Sequence, residues 1–158
     1  MKKLFYLALA LTFLMGSCSK KEPFMKVGLV ADPQYANQPP SGKRHYRESL
    51  WKLEEAIDTF NYHKVDLIQN LGDVIDFKWE SYDAILPIYD KLNPDIENYH
   101  LLGNHEFAVD SNHFKDILER LSMPDYYYSY SKKGWRFIVL DATDYAYYSC
   151  LLYTSDAA

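Results

Sequence analysis

Cysteine is almost missing from this chain. Only Cys18 and Cys150 occur among its 158 residues, too few for a disulfide framework. Basic residues do not dominate either. Seventeen Lys and Arg face 22 Asp and Glu, a net charge of −5, which argues against a general nucleic-acid binder, and no nucleic-acid partner is expected. No segment repeats and none is of low complexity. A membrane-spanning run is absent as well, since the apolar stretch Leu4–Met15 is too short to cross a bilayer comfortably. Gly42-Lys43 is no P-loop, because Asn37 stands where the first glycine belongs and no Ser or Thr follows Lys43. What remains is globular composition, 48% hydrophobic and 25% charged, enough for a core in one domain or part of a larger one.

The two ends read differently from the middle. Lys2 and Lys3, the apolar run and then Gly16-Ser17-Cys18 have a signal-peptide layout. Leu14-Met15-Gly16-Ser17-Cys18 resembles a bacterial lipoprotein cleavage box. That resemblance implies a leader over residues 1–17, lipidation of Cys18 and a tether over residues 18–25. It also implies a lipid-anchored place in the bacterial cell envelope, on the periplasmic or outer-membrane side. An ordinary cleaved leader, with Cys18 incidental, is the alternative. At the other end CLLYTSDAA, residues 150–158, lacks element-ending logic and resembles translated adaptor DNA. It is read as non-native, with a genuine terminus as the alternative.

Between these ends, apolar periodicity predicts alternating elements. KVGLVA (26–31) and VDLIQNL (65–71) read as buried strands, and NYHLL (98–102) as a third. Leu50, Leu53, Ala56, Ile57 and Phe60 recur at helical spacing and predict a helix over 45–62. A second helix is expected over 81–92, weakened by Pro87, and a third over 111–120 with Ser111 as its N-cap. Strands over 126–131 and 135–140 close the chain through a Lys132-Lys133-Gly134 turn. The order β-α-β-α-β-α-β-β makes the fold class α/β with a largely parallel sheet.

Each of the three parallel strands runs into polar residues. The first ends on Asp32-Pro33-Gln34, the second on Gly72-Asp73-Val74-Ile75-Asp76, the third on Gly103-Asn104-His105-Glu106. Ends of parallel strands share one edge, where α/β proteins place chemistry. Asp32, Gln34, Asp73, Asn104 and His105 should therefore converge. Clustered carboxylates need positive charge, and hard oxygen donors suit Mn²⁺ or Mg²⁺. Taken singly, Asp32, Asp73, Asp76 and Asn104 read as turn residues and His105 as a satisfied, partly buried histidine.

ADPQ, GDVID and GNHE, in this order and spacing, resemble the first three motifs of the calcineurin-like metallophosphoesterases. Asp-x-Gln in place of Asp-x-His is similar to the manganese-dependent ADP-ribose/CDP-alcohol diphosphatase branch, and KRHYRESL and WRFIVLDATD add to the likeness. The resemblance covers residues 26–149. It implies the N-terminal part of a β-sandwich flanked by helices, the chain supplying about one of two facing sheets. It also implies two divalent metal ions, Mn²⁺ first, with Mg²⁺ or iron as substitutes. Asp32 and Gln34 would bind the first ion, Asp73 would bridge, and Asn104 would bind the second. His105 would serve the substrate or leaving group as the catalytic residue, with Asp76 orienting it. A hydroxide on the metals would attack phosphorus.

Arg44 and Arg47 are candidates for a substrate phosphate, or else lie on a solvated helix end. Tyr126, Tyr127, Tyr128 and Tyr130 read as packing rather than a base platform. The family pattern also asks for a histidine and a Gly-His-x-His further on. None is visible, and His45, His63, His100 and His113 lie elsewhere. This chain alone is thus expected to be inactive, to bind metal weakly and to expose apolar sheet surface. The expected function is hydrolysis of phosphoester or diphosphate bonds in a small phosphorylated substrate. The rival is a lipid-anchored protein that binds a phosphoryl ligand without cleaving it, or an inactive fragment.

Overall fold

The computed structural model describes residues 24–143. The expected leader, Cys18 and the 150–158 tail lie outside the described residues. Three strands, β1 (Val27–Val30), β2 (Leu67–Asn70) and β3 (Glu97–His100), pair in parallel in the order β1-β2-β3. Val30 pairs with Asn70, and Asn70 with His100. All three chains therefore leave the sheet at one edge.

Helix α1 (Ser49–His63) follows a 3-10 turn, Tyr46–Glu48. It buries Leu53 and Ile57, the apolar stripe legible in the sequence. Lys64 ends it in a left-handed conformation, φ 49°. Its N–H donates to Asn61 O, and that of Val65 to Phe60 O, which satisfies the last carbonyls of the helix. Helix α2 (Ser81–Tyr89) keeps Pro87 and buries Tyr82, Ile85, Ile88 and Tyr89. Ile57, Ile68, Ile75, Ile85 and Ile117 are wholly buried, each worth about 1.5–3 kcal/mol.

The expected third helix takes a different form. Ser111–Asp116 is 3-10 and only Ile117–Arg120 is α-helical, here α3. Asp110, not Ser111, is the cap, its carboxylate accepting from Asn112 N at 3.0 Å. A carboxylate beside exposed donors outcompetes the neighbouring hydroxyl.

The closing strands β4 (Tyr128–Lys132) and β5 (Trp135–Val139) form a separate antiparallel hairpin. The chain thus supplies one parallel sheet plus a two-stranded piece, more than the single sheet expected. Tyr130 stacks between Tyr99 and Phe137, and its hydroxyl donates to Gln69 Oε1 at 2.8 Å. Tyr128 donates to the His100 carbonyl. These tyrosines pack the hairpin on the sheet, as their alternation suggested. The β1 part of that face stays open, with Leu29 62% exposed.

Beyond the sheet edge the loops are tied together. Gln34 N donates to Asp73 O (2.8 Å) and Tyr35 N to Val74 O (3.1 Å), while Asp76 N returns to Tyr35 O (3.0 Å). The third loop is fastened by Glu106, which has no exposed surface. Its Oε2 accepts from Asp73 N (2.9 Å) and Gly103 N (2.7 Å), and its Oε1 from Val74 N (2.7 Å).

Two stability predictions follow from these contacts. Glu106→Ala leaves the buried N–H groups of Asp73 and Val74, and that of half-buried Gly103, without an acceptor, at about 1–3 kcal/mol for each buried one. Urea unfolding should show a loss of about 3 kcal/mol or more, and Glu106→Gln, which keeps one acceptor oxygen, a smaller one. The second concerns His100, which is 4% exposed and whose Nδ1 has no partner among the described residues. Burial pushes its pKa down from 6.5 to about 4. The unfolded chain then takes up the proton first. Stability should fall between pH 6.5 and 4, by on the order of 3 kcal/mol, and not from this source above pH 6.5. Unfolding midpoints at pH 7, 5.5 and 4 measure the slope, and His100→Gln should flatten it.

Candidate active site at the strand ends

Three loops meet at the expected edge, where hydrogen bonds join Gln34 and His105 to Asp73. Asp32, Gln34 and Asp73 all have positive φ, at 51°, 43° and 53°. This region is uncommon for residues with a side chain, and its clustering at one edge marks a place where geometry is imposed against local preference. Three of the four residues expected to bind metal are held this way.

Asp73 lies at the centre and is 9% exposed. Its Oδ1 accepts from His105 N at 2.8 Å and its Oδ2 from Gln34 Nε2 at 3.3 Å. One carboxylate thus touches the first and third loops while sitting on the second. Its closeness requires glycine on both sides. A methyl group at Gly103 would stand 2.2 Å from Asp73 Oδ1, and one at Gly72 would stand 2.5 Å from Gly103 N. Gly72 also has φ 85°, which a side chain would strain.

Asn104 follows Gly103 and is half-buried. Asp32 is exposed. The side chains of both point to no hydrogen-bond partner among the described residues. Together with Asp73 and Gln34 they are the donor set expected from the sequence, two carboxylates and two amide carbonyls. Among the described residues no group of three or more His, Cys, Asp and Glu is gathered as a metal site. The set therefore relies on its amides. Oxygen donors with two formal charges fit Mn²⁺ or Mg²⁺ better than zinc, which favours nitrogen and sulfur.

His105 sits in a 3-10 turn, His105–Phe107. Its Nδ1 lies 2.6 Å from the Asp76 carbonyl oxygen and 3.4 Å from Asp76 Oδ1. An acceptor on both contacts places the ring proton on Nδ1. Asp76 therefore orients His105, as expected. Its carboxylate in turn meets Arg44 Nη1 at 3.3 Å and Gln38 Nε2 at 3.4 Å. Arg44 thus reaches the site through Asp76. Arg47 directs its Nε to Asn37 Oδ1 at 2.9 Å and holds the loop.

Glu106 is the residue that sequence reasoning passed over. Burial pushes its carboxyl pKa up, the three main-chain donors pull it down, and the nearby Asp73 charge adds to the rise. Burial outweighs the three donors, so the carboxyl is held above the usual carboxylate range. An acidic residue directly after Asn104-His105, before the apolar Phe107, was the available signal.

Comparison with known proteins agrees with this geometry. A family model described as calcineurin-like phosphoesterase matches residues 25–153. A manganese-dependent ADP-ribose/CDP-alcohol diphosphatase of Oryza sativa is 33% identical over 141 residues, covering 81% of this chain and 44% of the relative. The Arabidopsis thaliana protein of that name is 30% identical, covering 82% and 46%. The crystal structure of a dimetal phosphatase from Danio rerio superposes with a TM-score of 0.63 at 25% identity, covering 84% of this chain and 51% of that one. The chain spans about half the length of these relatives. With the three loops meeting at Asp73 and the family model spanning nearly all the described residues, the chain belongs to the calcineurin-like phosphoesterase family.

Proposed function

We propose that the protein hydrolyses phosphoester or phosphoric anhydride bonds with divalent metal ions, Mn²⁺ first, at this site. The observation that carries the reading is Asp73, held by both neighbouring loops while three donor residues adopt left-handed backbone. Asp32 and Gln34 would hold one ion, Asn104 a second, and Asp73 would stand between them. Such ions supply polarisation of phosphoryl oxygens and acidification of water.

The chain's own residues do the rest. Asp76 keeps the His105 proton on Nδ1, so proton exchange with substrate falls to Nε2. His105 in that state accepts a proton from solvent and delivers it to the departing oxygen. Gly103 leaves the room that the Asp73 carboxylate occupies, and Gly72 lets the two loops approach that closely. Relatives named as ADP-ribose/CDP-alcohol diphosphatases support a nucleotide diphosphate as substrate.

Placement in the bacterial cell envelope through lipidated Cys18 belongs to the same proposal. It rests on the Lys2–Cys18 layout. Among the described residues no helix is long and apolar enough to cross a membrane. In that compartment the substrates would be envelope or scavenged nucleotides and phosphodiesters.

The test is turnover of bis-p-nitrophenyl phosphate and of a nucleotide diphosphate panel with Mn²⁺. It should be run on the chain and on the longest reading frame that contains it. Asp73→Asn should lower kcat/KM at least about 100-fold and leave the fold intact by circular dichroism. His105→Ala should cost about 10²–10⁴-fold in kcat. No turnover of either substrate class by either protein would sink the proposal. Separately, Cys18→Ser should move the protein from the membrane to the soluble fraction, and unchanged fractionation would remove the anchor.

A further inference from the structure

The three parallel strands also share an entry edge, at Val27, Leu67 and Glu97, opposite the edge of the candidate metal donors. Parts distant in sequence meet there. Lys26 Nζ donates to His63 O at 3.2 Å and joins the end of α1 to the start of β1. Lys133, in the turn between β4 and β5, meets Asp66 Oδ1 at 2.7 Å and donates to Phe24 O at 3.4 Å. Lys132 meets Glu97 at 2.8 Å. The hairpin turn, the end of α1 and the chain entering β1 therefore form one surface.

Three aromatic residues of that surface are open to solvent. Phe24, Tyr62 beside His63, and Trp135 opposite Lys132 each leave more than half of their surface exposed. Such rings favour the boundary between hydrocarbon and head groups. The chain as a whole carries −5, but here Lys26, Lys64, Lys132 and Lys133 balance Asp66, Asp95 and Glu97. Phospholipid phosphates are thus not repelled from this edge. Cys18 lies six residues before Phe24, a reach of roughly 20 Å at most. A lipid on Cys18 therefore brings this edge, before any other, to the bilayer.

We propose that the strand-entry edge is a membrane-contact surface, and that the protein stands on a phospholipid bilayer through Phe24, Tyr62 and Trp135 with its catalytic edge turned away. The inference rests on the lipid anchor for proximity and on the hydrolase reading for the site. A lipid chain holds more firmly when the protein surface adds a second contact. Four-residue strands, with the loops beyond them, separate the two edges by more than roughly 13 Å. The candidate metal donors therefore face water, and substrate arrives from the aqueous side. Head groups of the same bilayer lie out of reach.

The experiment has two arms. In the first, the protein purified from its cells is placed with phosphatidylethanolamine–phosphatidylglycerol vesicles that contain a brominated phospholipid, which quenches tryptophan on contact. Part of the fluorescence should be quenched. Trp135→Phe should remove that part, whereas Trp51→Phe, near the start of α1 and so at the catalytic end, should keep it. No quenching, or quenching lost in Trp51→Phe and kept in Trp135→Phe, would overturn the proposal. The mass of the Cys18 peptide, with or without acyl chains, decides the anchor separately, and the quenching reads the contact surface in either case. In the second arm, with Mn²⁺, CDP-choline in solution should be turned over at least about tenfold faster than CDP-diacylglycerol in the same vesicles, because a site that cannot span the gap meets almost none of the embedded lipid. Equal or faster turnover of the embedded lipid would overturn the orientation. If neither is cleaved, the hydrolase reading stands or falls by its own assay, and the quenching still decides the surface.

Discussion

One buried carboxylate holds the site together. Glu106 accepts from Asp73, Val74 and Gly103 through two oxygens. The strands end at Asn70 and His100. Beyond that edge a lone parallel bridge, Tyr35 with Ile75, aligns the first two loops, and none reaches the third among the described residues. Main-chain groups there must find other partners or stay unpaired at a cost. Glu106 supplies acceptors from the third loop to donors on the second. Pairing of Gln34 and Tyr35 with Asp73 and Val74 then adds the first loop. The geometry of the donors is thus a consequence of main-chain bonding set from behind, with side chains free to face outward.

That arrangement explains why glycine and left-handed backbone concentrate here. For Asp73 to bond forward to His105 N and Gln34 while its own N–H points back to Glu106, the chain must reverse within one residue. The reversal is met by φ 85° at Gly72 and 53° at Asp73. Gly103 then has to pass within contact of the Asp73 carboxylate, where a methyl group does not fit. Local preference would not choose these conformations, and the surrounding hydrogen bonds impose them.

How much of this was legible in the sequence depended on the scale of the signal. Strands such as VGLV and LIQN, and the stripe of α1, were readable because burial follows periodicity. The placement of Asp32, Gln34, Asp73 and Asn104 in loops at one sheet edge was readable because each follows a strand. The 3-10 form of Ser111–Asp116 was not, since i+3 and i+4 spacings cannot be separated over so few residues. Whether the closing hairpin joins the parallel sheet depends on Tyr130 meeting Tyr99 and Gln69 across the fold, and no local pattern encodes such a contact. Glu106 was hidden for a related reason. Its role lies in bonds to residues some thirty positions earlier, while its type suggested an ordinary surface acid.

The same clamp has an electrostatic consequence. Glu106 lies against Asp73 N, and the Asp73 charge is among the forces that push its pKa up. Two carboxylates are therefore held close together in a part of the molecule where water screens poorly. Asp32 adds a third, exposed carboxylate on the first loop. Hydrogen bonds from main-chain donors offset part of this repulsion, but they cannot cancel a full charge. A divalent cation held at this edge would. Its binding would then relieve a strain that folding alone leaves in place, so metal affinity and the stability of the three loops are coupled quantities. Gln34 and Asn104 fit that account, because each provides an oxygen without a further negative charge. A donor set with carboxylates at all four positions would raise the repulsion that the fold must bear before any cation arrives.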